Sequence, residues 1–401
     1  MKRLMLISDR YPLDLTDGKH LRVFHLSREL CKEFECYFVG LSEGQDPAID
    51  RRILPFCDLA AFDERVRRRI PWWQRFRLSD ARYVSISSPE YVEKSVRRLA
   101  DLAVRWKIDG VVTFEPRLAE IVIPLALPRI LDFPDCATLA LRRRLRNSNR
   151  RFSLAERLGL QIKRIRARAR ERYFLRNFTR TVTISNQDRA ALLASSGVAD
   201  SKVIVIPNGV SFETFQSGGD GNLRTRSIVF WGNLNFPPNR TAVNYFYEHV
   251  FLPYLRDSDI EWHIVGAGAD DRISAMSTHK NIVVAGFQED LAGYMSRMGA
   301  MINPMVEGGG LKNKVLEAFA MELPVVSTSL GAEAIACVAD RDFLSADSPD
   351  QFAKCTLALL DDRKLAHRLT RNAKQLVMDR YSWGAVARQY GAAVNEVLGD
   401  A

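Results

Sequence analysis

The sequence predicts an α/β protein made of two doubly wound domains, each built on a parallel sheet. The chain has 401 residues, enough for two domains, and 47% of them are hydrophobic, as in a globular protein with a large core. Short apolar runs such as Leu4–Ile7 are typical of strands that are covered on both faces. Stretches with helical spacing of apolar residues follow these runs, so strands and helices alternate along the chain.

The first half opens with the strand at Leu4–Ile7, a loop that contains Asp17, Gly18 and Lys19, and a helix that ends near residue 34. This order is the start of a βα unit, in which the loop either contacts a ligand or forms a plain turn. Further strands are expected at 36–41, 110–114, 129–132, 181–184 and 203–206, and helices at 89–106 and 151–178.

The second half repeats this alternation. Strands are expected at 228–231, 262–265, 282–285, 301–303 and 324–328. Helices are expected at 241–251, 289–298, 311–321, 349–360 and 363–379, and a last helix begins near residue 381. The repeated order of strand and helix is what predicts a second doubly wound domain.

The most informative stretch is a glycine turn, Gly308–Gly310, between a predicted strand and a predicted helix. Glycine has no Cβ, so the backbone can approach a ligand closely, and the helix offers unpaired N–H groups and the positive end of its dipole. These features together suit a phosphate group. Lys314 and Glu317 share one face of the helix. The alternatives are a tight connection for the glycines and a surface ion pair for the two charges.

The opposite face of this helix is apolar. Its members recur at helical spacing and are expected in the core: Leu311, Val315, Ala318 and Phe319.

The net charge of +10 is concentrated in one segment. Residues 142–180 hold 15 Arg and Lys against Glu156 and Glu171, a net charge of +13, so the rest of the chain carries −3. Within this segment, Leu154, Leu158, Ile162 and Ile165 form one stripe of a predicted helix. A basic helix of this kind favours an anionic partner. A membrane surface ranks first, a solvated arginine face second, and nucleic acid a distant third.

Cysteine and histidine usage predicts neither disulfides nor a metal site. The six cysteines show no Cys-x-x-Cys spacing, and the six histidines are scattered. The apolar run after Met1 is too short for a signal peptide, and no run approaches the length of about 20 residues that spans a bilayer. We therefore expect a cytoplasmic protein that binds peripherally to the inner face of a membrane.

The segment 308–328, Gly-Gly-Gly-x-Lys-x-Lys-x-Leu-Glu-Ala-x-Ala-x-x-x-Pro-Val-Val-x-Thr, resembles the donor-nucleotide segment of glycosyltransferase family 4, the retaining GT-B sugar transferases. The resemblance is strong over 181–210 and 228–331 and looser over 45–150. It implies two facing Rossmann-like domains with a cleft between them. Residues 1–205 would bind the acceptor, 206–380 would bind the donor, and a helix within 381–401 would cross back to the first domain.

The resemblance implies an enzyme, a metal-independent, retaining glycosyltransferase of the hexosyltransferase type. It would move a sugar from a UDP- or GDP-linked donor to the hydroxyl of a glycan or lipid-linked acceptor, in cell-surface polysaccharide or glycolipid biosynthesis. No cofactor is expected besides the nucleotide-sugar substrate. Two alternatives stay open: a nucleotide-sugar epimerase or hydrolase of the same fold, and a non-catalytic nucleotide-binding scaffold at a membrane.

The resemblance also assigns residues to roles. In the family the glycine turn holds the donor diphosphate, the helix glutamate holds the ribose hydroxyls, and cations stabilise the leaving group. The donor-binding residues would be Gly18, Asn233, Arg240, Gly286, Phe287, Glu307, Gly308, Gly309, Gly310, Leu311 and Glu317. The catalytic residues would be Lys312, Lys314 and Glu115. The acceptor-binding residues would be Asp17, Lys19 and Asp135, and no metal ligand is expected.

The sequence departs from the family pattern at three places. The residue eight positions before Glu317 is Gly309, where many members have a glutamate, and Glu307 is the nearest acidic residue upstream. Phe114 replaces the histidine of the His-Glu-Pro motif. Asn233 stands where many members have an arginine, so we expect Lys312 and Lys314 to supply part of the missing positive charge.

Overall fold

The computed structural model describes residues 1–9, 18–41, 58–62, 82, 84–85, 88–147, 152–215 and 226–399. The chain forms two compact units, of which the first comprises Met1–Asn208 and Val386–Ala401 and the second comprises Gly209–Ala385. Asp17, one of the predicted acceptor-binding residues, lies outside the described residues. Among the described residues, no helix combines the length and the mean hydropathy needed to cross a bilayer.

The described part of the first unit contains a parallel sheet of seven strands. They are β1 (Arg3–Ser8), β2 (Glu35–Leu41), β3 (Asp58–Phe62), β4 (Gly110–Thr113), β5 (Arg129–Asp132), β6 (Arg180–Thr183) and β7 (Val203–Val205). Their order is β3-β2-β1-β4-β5-β6-β7, and Ile7 lies opposite Val39 on one side and Thr113 on the other. The order reverses between β1 and β4, the point at which doubly wound sheets bind ligands beyond the carboxyl ends of their strands.

Helices flank this sheet. Those described are α1 (Gly18–Leu30), α2 (Pro89–Trp106), α3 (Ala119–Val122), α4 (Ala137–Asn147), α5 (Leu154–Asn177) and α6 (Asn186–Ser196). The long basic helix α5 begins at a capping box, because the Ser153 hydroxyl accepts from the Glu156 N–H and the Glu156 carboxylate accepts from the Ser153 N–H. Apolar side chains from both layers, such as Met5 and Phe174, form the core.

The described part of the second unit contains a parallel sheet of six strands. They are β8 (Ser227–Trp231), β9 (Glu261–Val265), β10 (Ile282–Gly286), β11 (Ala300–Asn303), β12 (Val325–Ser327) and β13 (Leu344–Ser345). Their order is β10-β9-β8-β11-β12-β13, and every pairing is parallel. The order reverses between β8 and β11, so the loops after these two strands lie at the switch point.

The helices of the second unit pack against this sheet. Those described are α7 (Pro237–Tyr245), α8 (Asp271–Ser274), α9 (Leu291–Met295), α10 (Asn313–Ala320), α11 (Ser329–Ala332), α12 (Pro349–Asp361) and α13 (Arg363–Arg380). The last helix, α14 (Trp383–Leu398), begins in the second unit and belongs to the first unit from Val386 onwards. The core is aromatic, with Phe246 packed against both Trp262 and Phe352. These elements confirm the predicted α/β class with two doubly wound sheets.

Two predicted helices have other limits in the structure. The helix expected at 241–251 begins at Pro237, since proline's fixed φ suits a first helical turn, and continues as a π-helical segment, Phe246–Leu255, around Pro253. The helix expected at 289–298 is the shorter α9. It starts after Asp290, whose carboxylate accepts from the Gly293 N–H at 2.8 Å.

Candidate functional site

The glycine turn between β11 and α10 has backbone angles that only glycine adopts easily. Gly308 has φ of +105° and Gly310 has φ of +67°. The Lys312 ammonium donates to the carbonyl oxygens of Gly309 at 2.6 Å and Gly310 at 3.0 Å. Lys312 therefore stabilises the turn from within, a role that its sequence position alone did not predict.

Helix α10 is fixed by its apolar face. The predicted core positions are confirmed, because Leu311, Val315, Ala318 and Phe319 are all buried. Lys314 and Glu317 lie on the other side of the helix and are partly buried. The core contacts hold these two charged residues at the carboxyl edge of the sheet.

Two neutral groups contact the Lys314 ammonium. Its Nζ is 2.9 Å from Asn239 Oδ1 and 4.0 Å from the centroid of the Phe230 ring. No carboxylate of the described residues lies within 4.0 Å of it. Desolvation, and then the charge of Lys312, lower the pKa of Lys314 to about 7, against the weaker opposing effect of Glu317. In the described part of the chain, the ammonium thus has no carboxylate close enough to form an ion pair.

Gly232, which follows β8, makes room for this ammonium. Its φ is +153°, and a Cβ at this position would lie 2.7 Å from Asn239 Nδ2 and 3.1 Å from Lys314 Nζ. The Asn239 amide is itself oriented by the Asn233 carbonyl, to which Nδ2 donates at 2.9 Å. A side chain at position 232 would therefore displace the pair formed by Asn239 and Lys314.

The Glu317 carboxylate is held by an aromatic donor. Trp231, the last residue of β8, donates its Nε1–H to Glu317 Oε2 at 2.8 Å. Desolvation raises the pKa of Glu317, while the indole N–H and the Lys314 charge act in the opposite direction. Lys314 and Glu317 are thus neighbours on α10, but each has its own neutral partner.

The other predicted donor-binding residues are spread along the carboxyl edge of the second sheet. Glu307 accepts from the Thr241 hydroxyl of α7 at 2.7 Å. Asn233 is exposed, and its side chain accepts from the Asn235 N–H at 2.9 Å. Arg240 is partly buried on α7.

Gly286 is the last residue of β10, the edge strand of the same sheet, and Phe287 follows it. Gly286 has φ of +67°, and Phe287 is 60% exposed. Strand β9 lies between β10 and β8 in the sheet. The Phe287 ring therefore follows a different strand from β8, whose Phe230 contacts the Lys314 ammonium. An exposed aromatic ring at a strand end is available for stacking.

Of the predicted residues in the first unit, Glu115 has a defined polar environment. It is buried after β4, and the exposed Arg117 contacts it at 3.4 Å and contacts Asp9, after β1, at 3.1 Å. Asp9 was not predicted from the sequence.

The remaining predicted residues of the first unit stand at other positions. Gly18 and Lys19 form the first residues of α1, and Asp135 is exposed in the loop after β5. Within the described ranges, no group of three or more His, Cys, Asp or Glu side chains could hold a metal ion.

Trp231, Asn239 and Phe230 are the residues of this site that the sequence reasoning missed. Trp231 was assigned only to a strand and Asn239 only to a loop. The available signal for Trp231 was an aromatic residue at the carboxyl end of a buried strand directly before a glycine. No local pattern in the sequence connects any of the three to α10.

Comparisons with known proteins agree with this geometry. Residues 225–362, about a third of the chain, match the family model described as "Glycosyl transferases group 1". The matched segment contains the glycine turn and the residues around Lys314 and Glu317. This match confirms the resemblance that the glycine motif indicated.

Two solved structures share the fold of the chain. One is a sucrose-phosphate synthase from Thermosynechococcus elongatus, with a TM-score of 0.72, 15% identity and 100% coverage of both chains. The other is HepE from Anabaena in complex with UDP and glucose, with a TM-score of 0.66, 11% identity, and coverage of 98% of this chain and 100% of HepE. At these identities they establish the GT-B fold alone.

A curated relative shares part of the sequence. It is an uncharacterized 44.6 kDa protein in the cps region of Klebsiella pneumoniae, 24% identical over 169 residues. The alignment spans 40% of this chain and 44% of that protein's length.

Proposed function

We propose that this chain, whose second unit matches the group 1 glycosyltransferases, transfers a sugar from a nucleotide diphosphate sugar to an acceptor hydroxyl. The observation that carries the proposal is the environment of the Lys314 ammonium. Lys314 lies in the first turn of α10, after the glycine turn, and no carboxylate of the described residues is within 4.0 Å of its ammonium. A diphosphate bound at the turn would supply the missing negative charge. The cps region named for the curated relative favours a polysaccharide or glycolipid as acceptor.

The reaction needs stabilisation of the charge that develops on the departing nucleotide diphosphate. Preorganised donors act most strongly on charge that appears only in the transition state. Here these donors would be the Lys314 ammonium, the amides of the turn and the N-terminal end of α10. We propose that this set acts without a divalent metal and that the sugar keeps its anomeric configuration. The leaving phosphate would then accept the proton of the attacking hydroxyl.

Glu317 would bind the ribose of the donor. Glu317 lies one helical turn after Lys314 on α10. If Lys314 faces the diphosphate, Glu317 is displaced from it along the helix, as the ribose is displaced from the diphosphate in the donor. The Phe287 ring is placed to contact the base, since it is exposed directly after a strand end. HepE was solved with UDP, so UDP is the first nucleotide to test.

Binding and turnover test the proposal in sequence. The protein is titrated with UDP, GDP, ADP and CMP, and the Tm is followed; a ligand at about 100 times its Kd adds roughly 2.7 kcal/mol to stability. The corresponding nucleotide sugar is then supplied with lipid-linked and soluble acceptors, and transfer is measured by mass spectrometry. Release of nucleotide and free sugar at the same rate with and without acceptors would indicate a hydrolase. Binding without any turnover would contradict an enzyme.

We further propose that α5 docks the protein on an anionic membrane at the cytoplasmic face. Three of the four residues of the sequence-predicted stripe on α5 face solvent, because Leu154 is 88% exposed, Leu158 63% and Ile165 47%, whereas Ile162 is partly buried. Arginines such as Arg157 and Arg164 flank the stripe. An apolar stripe between basic residues suits a bilayer interface, where each basic residue contributes about 1 kcal/mol.

Vesicle co-sedimentation tests the docking surface. The wild type should bind vesicles that contain phosphatidylglycerol and not neutral ones, and high salt should weaken the binding. Leu158→Glu should lower vesicle affinity at least about tenfold, since burial of a leucine contributes about 1.5–3 kcal/mol. Val104→Glu is the matched control, because Val104 is an exposed apolar residue of α2, at 79%. Equal loss in both variants, or binding to an RNA oligomer alone, would contradict the membrane role.

A further inference from the structure

Two buried tryptophans of the second unit differ in what their indole N–H contacts. Trp231 donates to Glu317 Oε2 at 2.8 Å. Trp262, on the neighbouring strand β9, is completely buried, and its Nε1 has no hydrogen-bond partner among the residues that the structure describes. Burial in this sheet therefore does not by itself provide an indole with an acceptor, and the acceptor of Trp231 is a side chain held at the carboxyl edge of the sheet.

The indole determines which part of the carboxylate stays available. Glu317 Oε2 is occupied by the Trp231 N–H, whereas no described residue donates to Oε1. Trp231 is only 4% exposed and forms the last position of β8, so its ring has little freedom to move. A carboxylate held through one oxygen by a fixed donor keeps one orientation and presents its second oxygen.

We propose that Trp231 is a positioning residue for nucleotide recognition, which fixes Glu317 so that Oε1 accepts a hydrogen bond from the ribose hydroxyls of the donor. The inference rests on the proposed nucleotide-sugar site and adds a residue to it. Trp231 touches neither the ribose nor the reacting atoms and acts through Glu317. Its N–H also favours the ionised carboxylate, which is the stronger acceptor.

Removal of the Trp231 N–H should weaken donor binding and leave the chemical step unchanged. Without the N–H, Glu317 rotates more freely and is protonated more readily, so the ribose loses its acceptor. Ribose contacts are the same in the ground state and the transition state, so KM for the donor should rise while kcat stays near the wild-type value. A protein that is merely destabilised would lose both in proportion to the unfolded fraction.

The test measures ribose discrimination in the absence of sugar and acceptor. Calorimetry gives the Kd of UDP and 2′-deoxy-UDP, or of GDP and 2′-deoxy-GDP when GDP gives the larger Tm shift. The wild type should prefer the ribonucleotide about tenfold, the equivalent of one hydrogen bond to a charged group. In Trp231→Phe, which keeps an aromatic ring without the N–H, this preference should fall to about twofold or less. In Trp262→Phe it should stay at the wild-type level, because that indole makes no hydrogen bond.

A third variant controls for the change of packing that Trp231→Phe introduces. Trp231→His places the imidazole Nε2 at the ring position equivalent to the indole Nε1, so it restores a donor on a smaller ring. Recovery of the ribose preference in Trp231→His supports the N–H as the cause. The inference is overturned by a Trp231→Phe variant that keeps the tenfold preference, or by a wild type that has none. Sugar transfer is measured separately, so a failed transfer with an intact ribose preference contradicts the proposed reaction and leaves this inference standing.

Discussion

Each unit of the molecule contains two oppositely charged side chains that lie near each other, and the two pairs are organised differently. In the first unit, Arg22 and Asp132 form a direct ion pair with Nη2 and Oδ2 at 3.0 Å, and both side chains are buried. In the second unit, Lys314 and Glu317 are one helical turn apart and make no ion pair, since each is bound by a neutral group.

The pair of the first unit is complete without a ligand. Arg22 also donates to the carbonyl oxygens of Ile206 and Pro207 and to the Asn208 side chain. The acceptors at 206–208 lie where the chain leaves the first unit. The five donors of a guanidinium suit such a network. Its geometry satisfies the charges internally, which is characteristic of a structural ion pair.

In the second unit, the groups that bind Lys314 and Glu317 do not compensate their charges. An amide oxygen and an aromatic face do not neutralise the Lys314 ammonium, and an indole N–H does not neutralise the Glu317 carboxylate. Charges that are partly removed from water without a counter-ion carry a free-energy cost, and a charged ligand relieves it. The comparison teaches that completeness of the local network, more than burial, separates a structural charge from a ligand-binding one.

The largest expected effect is on stability, in the first unit. Arg22→Met leaves the Asp132 carboxylate buried without its partner, which should lower the free energy of unfolding by about 3–5 kcal/mol. Urea denaturation measures this change. Arg97→Met is the control, because Arg97 forms an exposed ion pair with Glu93 on α2 and should change stability by less than about 0.5 kcal/mol. Equal stabilities of the two variants would contradict a structural role for the buried pair.

The second effect is on turnover, in the second unit. Lys314→Met removes the charge that would face the leaving diphosphate, so kcat should fall about 100-fold, as for loss of one preorganised donor. The free energy of unfolding should not decrease, because methionine tolerates the site better than an uncompensated ammonium. Steady-state kinetics with varied donor measure kcat, and Lys354→Met on the exposed face of α12 is the matched control. Unchanged kcat in Lys314→Met would place the diphosphate elsewhere.

The alternation of strands and helices was predictable from the sequence because both faces of the strands are covered. Strand β8 is buried along its whole length, so its composition alone distinguishes it from a loop. The ends of helices were less predictable. Helix α9 starts where the Asp290 side chain caps it, and the segment after α7 is π-helical around Pro253, and neither follows from apolar spacing.

The site was predictable only where it is local in sequence. The glycine turn, Lys314 and Glu317 lie within ten positions, 308–317. The spacing of Lys314 and Glu317 therefore indicates that they share one face of the helix after the turn. The partners that give these residues their properties come from distant parts of the chain. Trp231 is 86 residues from Glu317, and Asn239 is 75 residues from Lys314. The pair formed by Arg22 and Asp132 spans 110 residues, and no single-sequence pattern links them.

The third effect concerns Glu317 and is confined to donor binding. Glu317→Gln keeps the shape of the side chain and removes its charge, so the hydrogen bond to the ribose weakens by about 1.4 kcal/mol. KM for the donor should rise about tenfold with kcat changed less than twofold. The same kinetic assay measures both parameters, and Glu333→Gln, a partly buried carboxylate after α11, serves as the control. A fall in kcat with unchanged KM would assign Glu317 to the chemical step.

The smallest expected effect is the dependence of stability on pH, and it tests directly whether the Lys314 ammonium has a counter-ion. The pKa of Lys314 is lowered from the ordinary 10.5 to about 7 in the folded protein. Between these values the unfolded chain binds more protons at this residue than the folded chain, so its contribution to stability rises with pH from about 7 to about 10. Below pH 7 both states are protonated, and the cost of the partly buried ammonium is present in full.

The full shift in pKa would correspond to about 2.7 kcal/mol between pH 7 and 9, and solvent screening of the partly exposed ammonium reduces this value. Urea unfolding at pH 6, 7, 8 and 9 should therefore show wild type gaining about 1–2 kcal/mol relative to Lys314→Met across this range. Arg97 remains charged throughout and its partner Glu93 is exposed, so the difference between wild type and the control Arg97→Met should stay constant over the same range. Saturating nucleotide diphosphate stabilises the protonated lysine and should remove the pH dependence of the wild type. Parallel pH curves for wild type and Lys314→Met would mean that the ammonium already has a counter-ion, and the contrast between the two pairs would not hold.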